Sequence, residues 1–359
     1  MNIAATPSRA QVLRWLLRPR GRKAHKSWRL RDLVHTAFLL CTVTIGVMFT
    51  RFVQAAQSGN LPLPDRPASV EGFLPISGAM GLKHWILSGS LNGVHPAATI
   101  IFTLALLLSL LLRKSFCSWV CSVGWLSEKL AALGRRLFGR NFRIHRYADI
   151  PLRGLKYFLM GFFVKAIWTM NAVALGAFIN TPYNRVADVK LGLFFVKLGT
   201  IGLSICIFLV VASMLVQGAW CRYLCPYGAA LGLVSRLSPV RIQRDPISCT
   251  DCGLCDKVCM SRLPVSTSID MRNSECTGCL DCLAVCPQGE ALQLKAGPKR
   301  VPVWAFAVVL LAIYLGGYAG ARGLGLWDSS MGDQEYRTRI QNIDSHEYGH
   351  PGAMGMPDR

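Results

Sequence analysis

Acidic residues are scarce in this chain: 19 Asp and Glu stand against 40 Lys and Arg, a formal net charge of +21. Charge of either sign is thin, at 16% of residues, while 52% are hydrophobic and the mean hydropathy is +0.35. That balance argues against the two or three soluble domains that 359 residues would allow. No aromatic-interleaved binding module accompanies the basic excess, so no nucleic-acid partner is expected. No C-x-x-C-H occurs either, which excludes covalently attached haem.

Long apolar runs are present instead. Five approach or exceed the roughly 20 residues needed to cross a bilayer. They are Leu33–Val53, Val94–Leu112, Leu155–Ile179, Leu191–Val216 and Val301–Ala319. The expected fold is mainly α, a polytopic membrane helical bundle of about five spans. Basic residues collect in three stretches: nine and no acid in residues 1–31, ten against two acids in 113–156, ten against seven in 217–300. Lys and Arg accumulate in short cytoplasmic segments. All three stretches are therefore expected inside, in a bacterial inner-membrane protein with a cytoplasmic N-terminus and a periplasmic C-terminus.

The arm before the first span carries Leu13, Leu16 and Leu17, a hint of a short surface helix. Val53-Gln54-Ala55 resembles a signal-peptide cleavage site, but the apolar run exceeds an h-region of about 7–15 residues. An uncleaved anchor is expected. Gln57–His95 is too broken by Pro and Gly to span and is expected along the outer surface or as a short re-entrant helix.

Cysteine is plentiful, with 14 residues. Cys249-x2-Cys252-x2-Cys255-x3-Cys259 is followed by Cys276-x2-Cys279-x2-Cys282-x3-Cys286, and Pro287 is next. This spacing wraps a [4Fe–4S] cluster, and in two-cluster ferredoxins the fourth cysteine ligates the other cluster. One cluster is assigned Cys249, Cys252, Cys255 and Cys286; its twin takes Cys276, Cys279, Cys282 and Cys259. In each run the fourth cysteine is expected to start the helix leading away. Zinc needs no third cysteine in each half, and disulfides need an oxidising compartment. Met260 stands where a proline often follows. The domains expected are a basic arm (1–31), a four-span membrane domain (32–244), a cytoplasmic ferredoxin-like module (245–298), a fifth span (299–320) and a polar periplasmic tail (321–359).

Two further passages share aromatic-C-x3-C-x2-G: Phe116-Cys117…Cys121…Gly124 and Trp220-Cys221…Cys225…Gly228. Each follows an apolar span and precedes a short helical pattern, an internal repeat of two-helix halves. On a helix, cysteines four apart share one face. Cys117, Cys121, Cys221 and Cys225 could form a third metal centre, two redox dithiols, or buried packing; Cys41 and Cys206, single within spans, fit packing better. Two quinone-site candidates are Lys165, an ionisable group read as near the middle of its span, and His95 at the outer start of the second span. Their plainer readings are snorkelling and capping. His346-Glu347-Tyr348-Gly349-His350 matches H-E-x-x-H formally, but Gly349 and Pro351 argue against the helix a zinc protease needs.

The ordered set of four cysteine motifs, over roughly residues 30–290, is similar to the membrane polyferredoxins of the NapH/NosR type. Ser122 replaces the proline usual after the first C-x3-C of that family, and no segment has the length of NosR's flavin domain. The resemblance implies a quinol-dehydrogenase type of subunit in anaerobic or microaerobic respiration, linking the quinone pool to a protein redox partner. It would be at most an electron-transfer subunit, with no catalytic residue of its own. The alternative is a maturation factor supplying electrons for metal-centre or dithiol handling. The tail residues His346, His350, Met354 and Met356 favour that alternative slightly.

Overall fold

Apolar patterning becomes helix over most of the computed structural model, which describes residues 22–59 and 62–349. The arm up to residue 21 and the tail residues His350, Met354 and Met356 lie outside the described residues. Helix α1 spans Arg22–Ser58, α2 Pro75–Ser88, α3 Pro96–Leu112 and α4 Ser122–Phe138. Then come α5 (Arg146–Thr169), α6 (Ala172–Ile179), α7 (Ala187–Val196), α8 (Thr200–Leu215) and α9 (Pro226–Val234).

The chain is a membrane protein, but its spans are less regular than the apolar runs imply. Residues 29–58 of α1 and Val303–Gly323 are long and apolar enough to cross. The pairs α5/α6 and α7/α8 are bent by 109° and 81°, so up to four spans result if each pair counts as one. Helix α3 is apolar but only 17 residues long.

The α5/α6 break has visible causes. Asn171 is extended and its side chain accepts from the Ala174 N–H at 2.8 Å, starting a new helix. Lys83 Nζ, from α2, donates to the carbonyls of Ile167, Trp168 and Met170 at 2.9, 2.8 and 2.6 Å. The Ile167 oxygen also accepts from the Met170 N–H at 3.3 Å, and Lys83 gives the other two helix-end oxygens a donor. Lys165 consequently lies about one turn before the end of α5, and it is exposed.

The segment around α2 packs on α3, burying Met80. Behind it lies an ion cluster. Arg66 Nη2 donates to Asp188 at 2.7 Å and to Glu71 at 2.8 Å. Glu71 also accepts from the Ala98 N–H at the start of α3, at 3.0 Å. His95 joins through Nδ1, 3.3 Å from Glu71, and its Nε2 faces the Asn184 carbonyl at 2.6 Å.

The tail is more ordered than its polar, Gly-rich sequence implies. Helix α13 (Asp333–Gln341), after α12 (Val303–Gly323), buries Tyr336 and Ile340 against Phe49 and Phe52 of α1. The spacing of Tyr336 and Ile340, four apart, is the signal for it. His346–Tyr348 form one short turn, which does not offer the helix face that H-E-x-x-H requires.

The cysteine-rich module hangs from a small sheet. Strand β1 (Val240–Arg244) pairs antiparallel with β2 (Leu292–Ala296), which pairs with β3 (Lys299–Arg300). Ile242 and Leu294 stand opposite each other and are buried.

Candidate metal centres

Between β1 and β2 the two cysteine runs fold alike. Each makes a five-residue helix, α10 (Leu254–Val258) and α11 (Asp281–Val285). Each helix is entered through a left-handed residue, Gly253 at φ +65° and Leu280 at φ +63°. The third cysteine of each run rides on its helix. The fourth follows at the C-terminal end in extended backbone, with ψ 115° at Cys259 and 120° at Cys286. The short helix thus precedes the fourth cysteine rather than following it. That turn frees the fourth side chain to leave its own run.

Two cavities result. One is lined by Cys249, Cys252, Cys255 and Cys286, the other by Cys259, Cys276, Cys279 and Cys282. Each gathers three cysteines of one run and the fourth of the other. Among the described residues, no three Cys, His, Asp or Glu side chains converge on the position of a single ion. Four thiols around an open cavity fit a polynuclear cluster better than tetrahedral zinc, whose sulfurs sit about 2.3 Å from one centre.

The module is fastened to the membrane domain at the second cavity. Ser118 Oγ donates to the Thr277 carbonyl at 2.7 Å, and Trp119 Nε1 to the Gly278 carbonyl at 3.1 Å. Thr277 and Gly278 lie between Cys276 and Cys279, while Ser118 and Trp119 lie between Cys117 and Cys121. Arg31, in the N-terminal part of α1, donates twice to Glu128 of α4 and lies 3.5 Å from Asp281 of α11. Met260, in place of proline, receives Gln217 Nε2 at 3.0 Å through its sulfur and joins the module to the loop after α8.

The C-x3-C passages are structural twins. Cys117 sits in a four-residue helical turn (Phe116–Trp119), and Cys221 in a wider turn (Trp220–Leu224). The second cysteine of each is extended, with ψ 115° at Cys121 and 104° at Cys225, and caps the next helix. The expectation of one continuous helical face is therefore corrected: the chain breaks at the second cysteine. The Gly228 N–H donates to Cys225 Sγ at 3.3 Å. A Cβ at Gly124 would lie 2.1 Å from the Cys117 carbonyl oxygen, which explains the glycine three residues on.

Cys117, Cys121, Cys221 and Cys225 share one interior neighbourhood, each close enough to feel the charge of others. Burial pushes the Cys221 thiol up to about 12. Beside them lies Lys114, 4% exposed. In the sequence Lys114 reads only as inner-face charge, because its neighbours come from other segments.

The two quinone-site candidates stand in different settings. His95 is buried in the ion cluster with Glu71 and Arg66, and Lys165 is exposed on α5. Helix α3, about 25 Å long, separates His95 from the C-x3-C passages. Cys41 is exposed and Cys206 half-buried within their helices.

Comparison with known proteins returns the same division. A family described as a 4Fe-4S binding domain matches residues 94–141 and 198–244, each holding one C-x3-C passage. A 4Fe-4S dicluster domain matches residues 241–287. The chain is 40% identical over 344 residues to the putative electron transport protein YccM of Escherichia coli, covering 91% of this chain and 96% of that one. It is 27% identical over 270 residues to the ferredoxin-type protein NapH of Haemophilus influenzae, covering 72% and 85%. It is 26% identical over 280 residues to the methylamine utilization ferredoxin-type protein MauN of Methylorubrum extorquens, covering 72% and 81%. No solved structure matches.

Proposed function

Because this chain belongs to the NapH/NosR-like family of membrane polyferredoxins, we propose that it carries electrons between the quinone pool and a protein redox partner at the inner membrane face. The observation that carries this reading is the pair of four-cysteine cavities hydrogen-bonded to the C-x3-C passages of the membrane domain.

Cys249, Cys252, Cys255 and Cys286 would hold one [4Fe–4S] cluster, and Cys259, Cys276, Cys279 and Cys282 the other. When bound, such clusters supply one-electron exchange at potentials set by their surroundings. The chain's own residues do the positioning. Trp119 is fully buried, and with Ser118 it holds the Thr277–Gly278 loop against the membrane domain. Arg31 fixes α1 to both α4 and α11. Cys117, Cys121, Cys221 and Cys225 would hold a third iron–sulfur centre between quinol and module. In the maturation alternative, the tail offers only His346 on a short turn among the described residues.

The basic stretches support a cytoplasmic placement of the cluster module. Reporter fusions after Arg140 and after Leu294 are expected to report cytoplasm, and one after Gly349 the outer side; a cytoplasmic signal after Gly349 would remove α12 as a span.

The functional test is addition of a quinol to anoxic membranes containing the protein, with dithionite as control. Quinol is expected to bleach the cluster absorbance. His95→Ala and Lys165→Met are expected to slow that bleaching and spare bleaching by dithionite. Clusters reduced by dithionite alone would contradict a quinone-linked role.

A further inference from the structure

Lys114 follows the C-terminal end of α3 and precedes Cys117 by three residues. It cannot be dismissed as a snorkelling side chain of the inner face, since it is 4% exposed. Its head group lies over Gly228, where an added Cβ would meet Lys114 Nζ and Cys225 Sγ at 3.5 Å each. An ammonium taken out of water costs several kcal/mol unless an anion faces it.

The nearest carboxylate in charge terms, Glu275, is already engaged. It accepts from Lys156 Nζ at 2.5 Å and from Tyr157 Oη at 2.8 Å. Lys156 is itself fully buried. Glu275 is thus paired with Lys156, while Lys114 makes no ion pair within 4 Å among the described residues and sits with its head group at Gly228 beside Cys225 Sγ. Four neutral thiols, or two disulfides, would leave the Lys114 charge unbalanced. Four thiolates on an iron–sulfur centre would balance it.

Resting on the reading of these cysteines as a metal centre, we propose that Lys114 is the fixed counter-charge of that centre and raises its reduction potential. One-electron reduction makes the centre more negative, and a cation held nearby in a dry interior stabilises the reduced form. Lys114 acts here as a neighbour through its charge; it ligates nothing. Glu275 acts in the opposite sense.

The test is a redox titration followed by electron paramagnetic resonance, on anaerobically purified full-length protein, with iron determined in parallel. The wild type is expected to show a third centre beside the two ferredoxin-type clusters. Lys114→Met is expected to move the midpoint of that centre to lower potential, and Lys114→Arg to return it toward the wild-type value. The cluster held by Cys249, Cys252, Cys255 and Cys286 is the internal control and is expected to stay in place. Glu275→Gln is expected to move the third centre upward. An unchanged third midpoint in Lys114→Met overturns the proposal, and so does an equal fall of all centres. Should Lys114→Met fail to assemble the centre, Glu275→Gln decides, and a downward or absent shift there overturns the proposal. A wild type without a third signal, and without iron beyond two clusters, overturns the underlying metal reading. That result is distinct from a third signal that ignores Lys114.

Discussion

Cys282→Ala is expected to remove one cluster, taking away about four irons per chain, while the protein stays in the membrane. Cys282 is 6% exposed and lines the second cavity with Cys259, Cys276 and Cys279. Its thiol rides on α11, which α1 holds through Arg31 and Asp281. Those contacts lie outside the cavity, so α11 keeps its anchor when the ligand goes. The other cavity draws none of its cysteines from this set, so its cluster is expected to persist with its own signal. Serine is the poorer choice of replacement, since its oxygen can stand in as a ligand. Iron and acid-labile sulfide, measured on anaerobically purified protein, check the result; full iron content after the substitution would remove Cys282 from the ligand set. Cys41→Ala serves as the control, expected to leave iron unchanged, since Cys41 is exposed in the middle of α1.

What was legible in advance was chemistry written locally in the chain. Three cysteines two residues apart need only a tight turn and one short helix, so their grouping could be read from spacing alone. The crossing of the fourth cysteine was also expected, although its position relative to the helix was reversed. Leu280, left-handed at φ 63° where the first run has Gly253, gave no such warning. The C-x3-C passages were recognisable as a repeat. That each second cysteine is an extended cap depends on backbone turns that four-residue spacing does not encode.

Features built from distant segments were not legible. The bend between α5 and α6 needs Lys83, more than 80 positions away, to satisfy the carbonyls of Trp168 and Met170. A hydropathy window sees only one uninterrupted apolar run there. The ion cluster joins Arg66 and Glu71 to His95 and Asp188 from three separate segments. His95 drew notice as a lone titratable group, but its partners could not be named. Lys114 and Glu275 lie 161 positions apart, and among 40 basic residues nothing singled out that one lysine. In each case the sequence shows the residue and the fold supplies the neighbour that gives it meaning.

The central claim is that a third centre at the inner face connects quinol to the ferredoxin module. It is tested most directly by replacing Cys117 and Cys221 together with Ala and measuring iron alongside quinol-driven reduction. The two residues come from different halves of the repeat, so the pair removes one ligand contributed by each. Gly124, Cys121 and Cys225, which set the local turns, are left in place. The account predicts that iron falls by about one centre, that dithionite still reduces both ferredoxin-type clusters, and that quinol no longer does. Unchanged iron with loss of reversible thiol oxidation would contradict it and make these four cysteines a pair of dithiols.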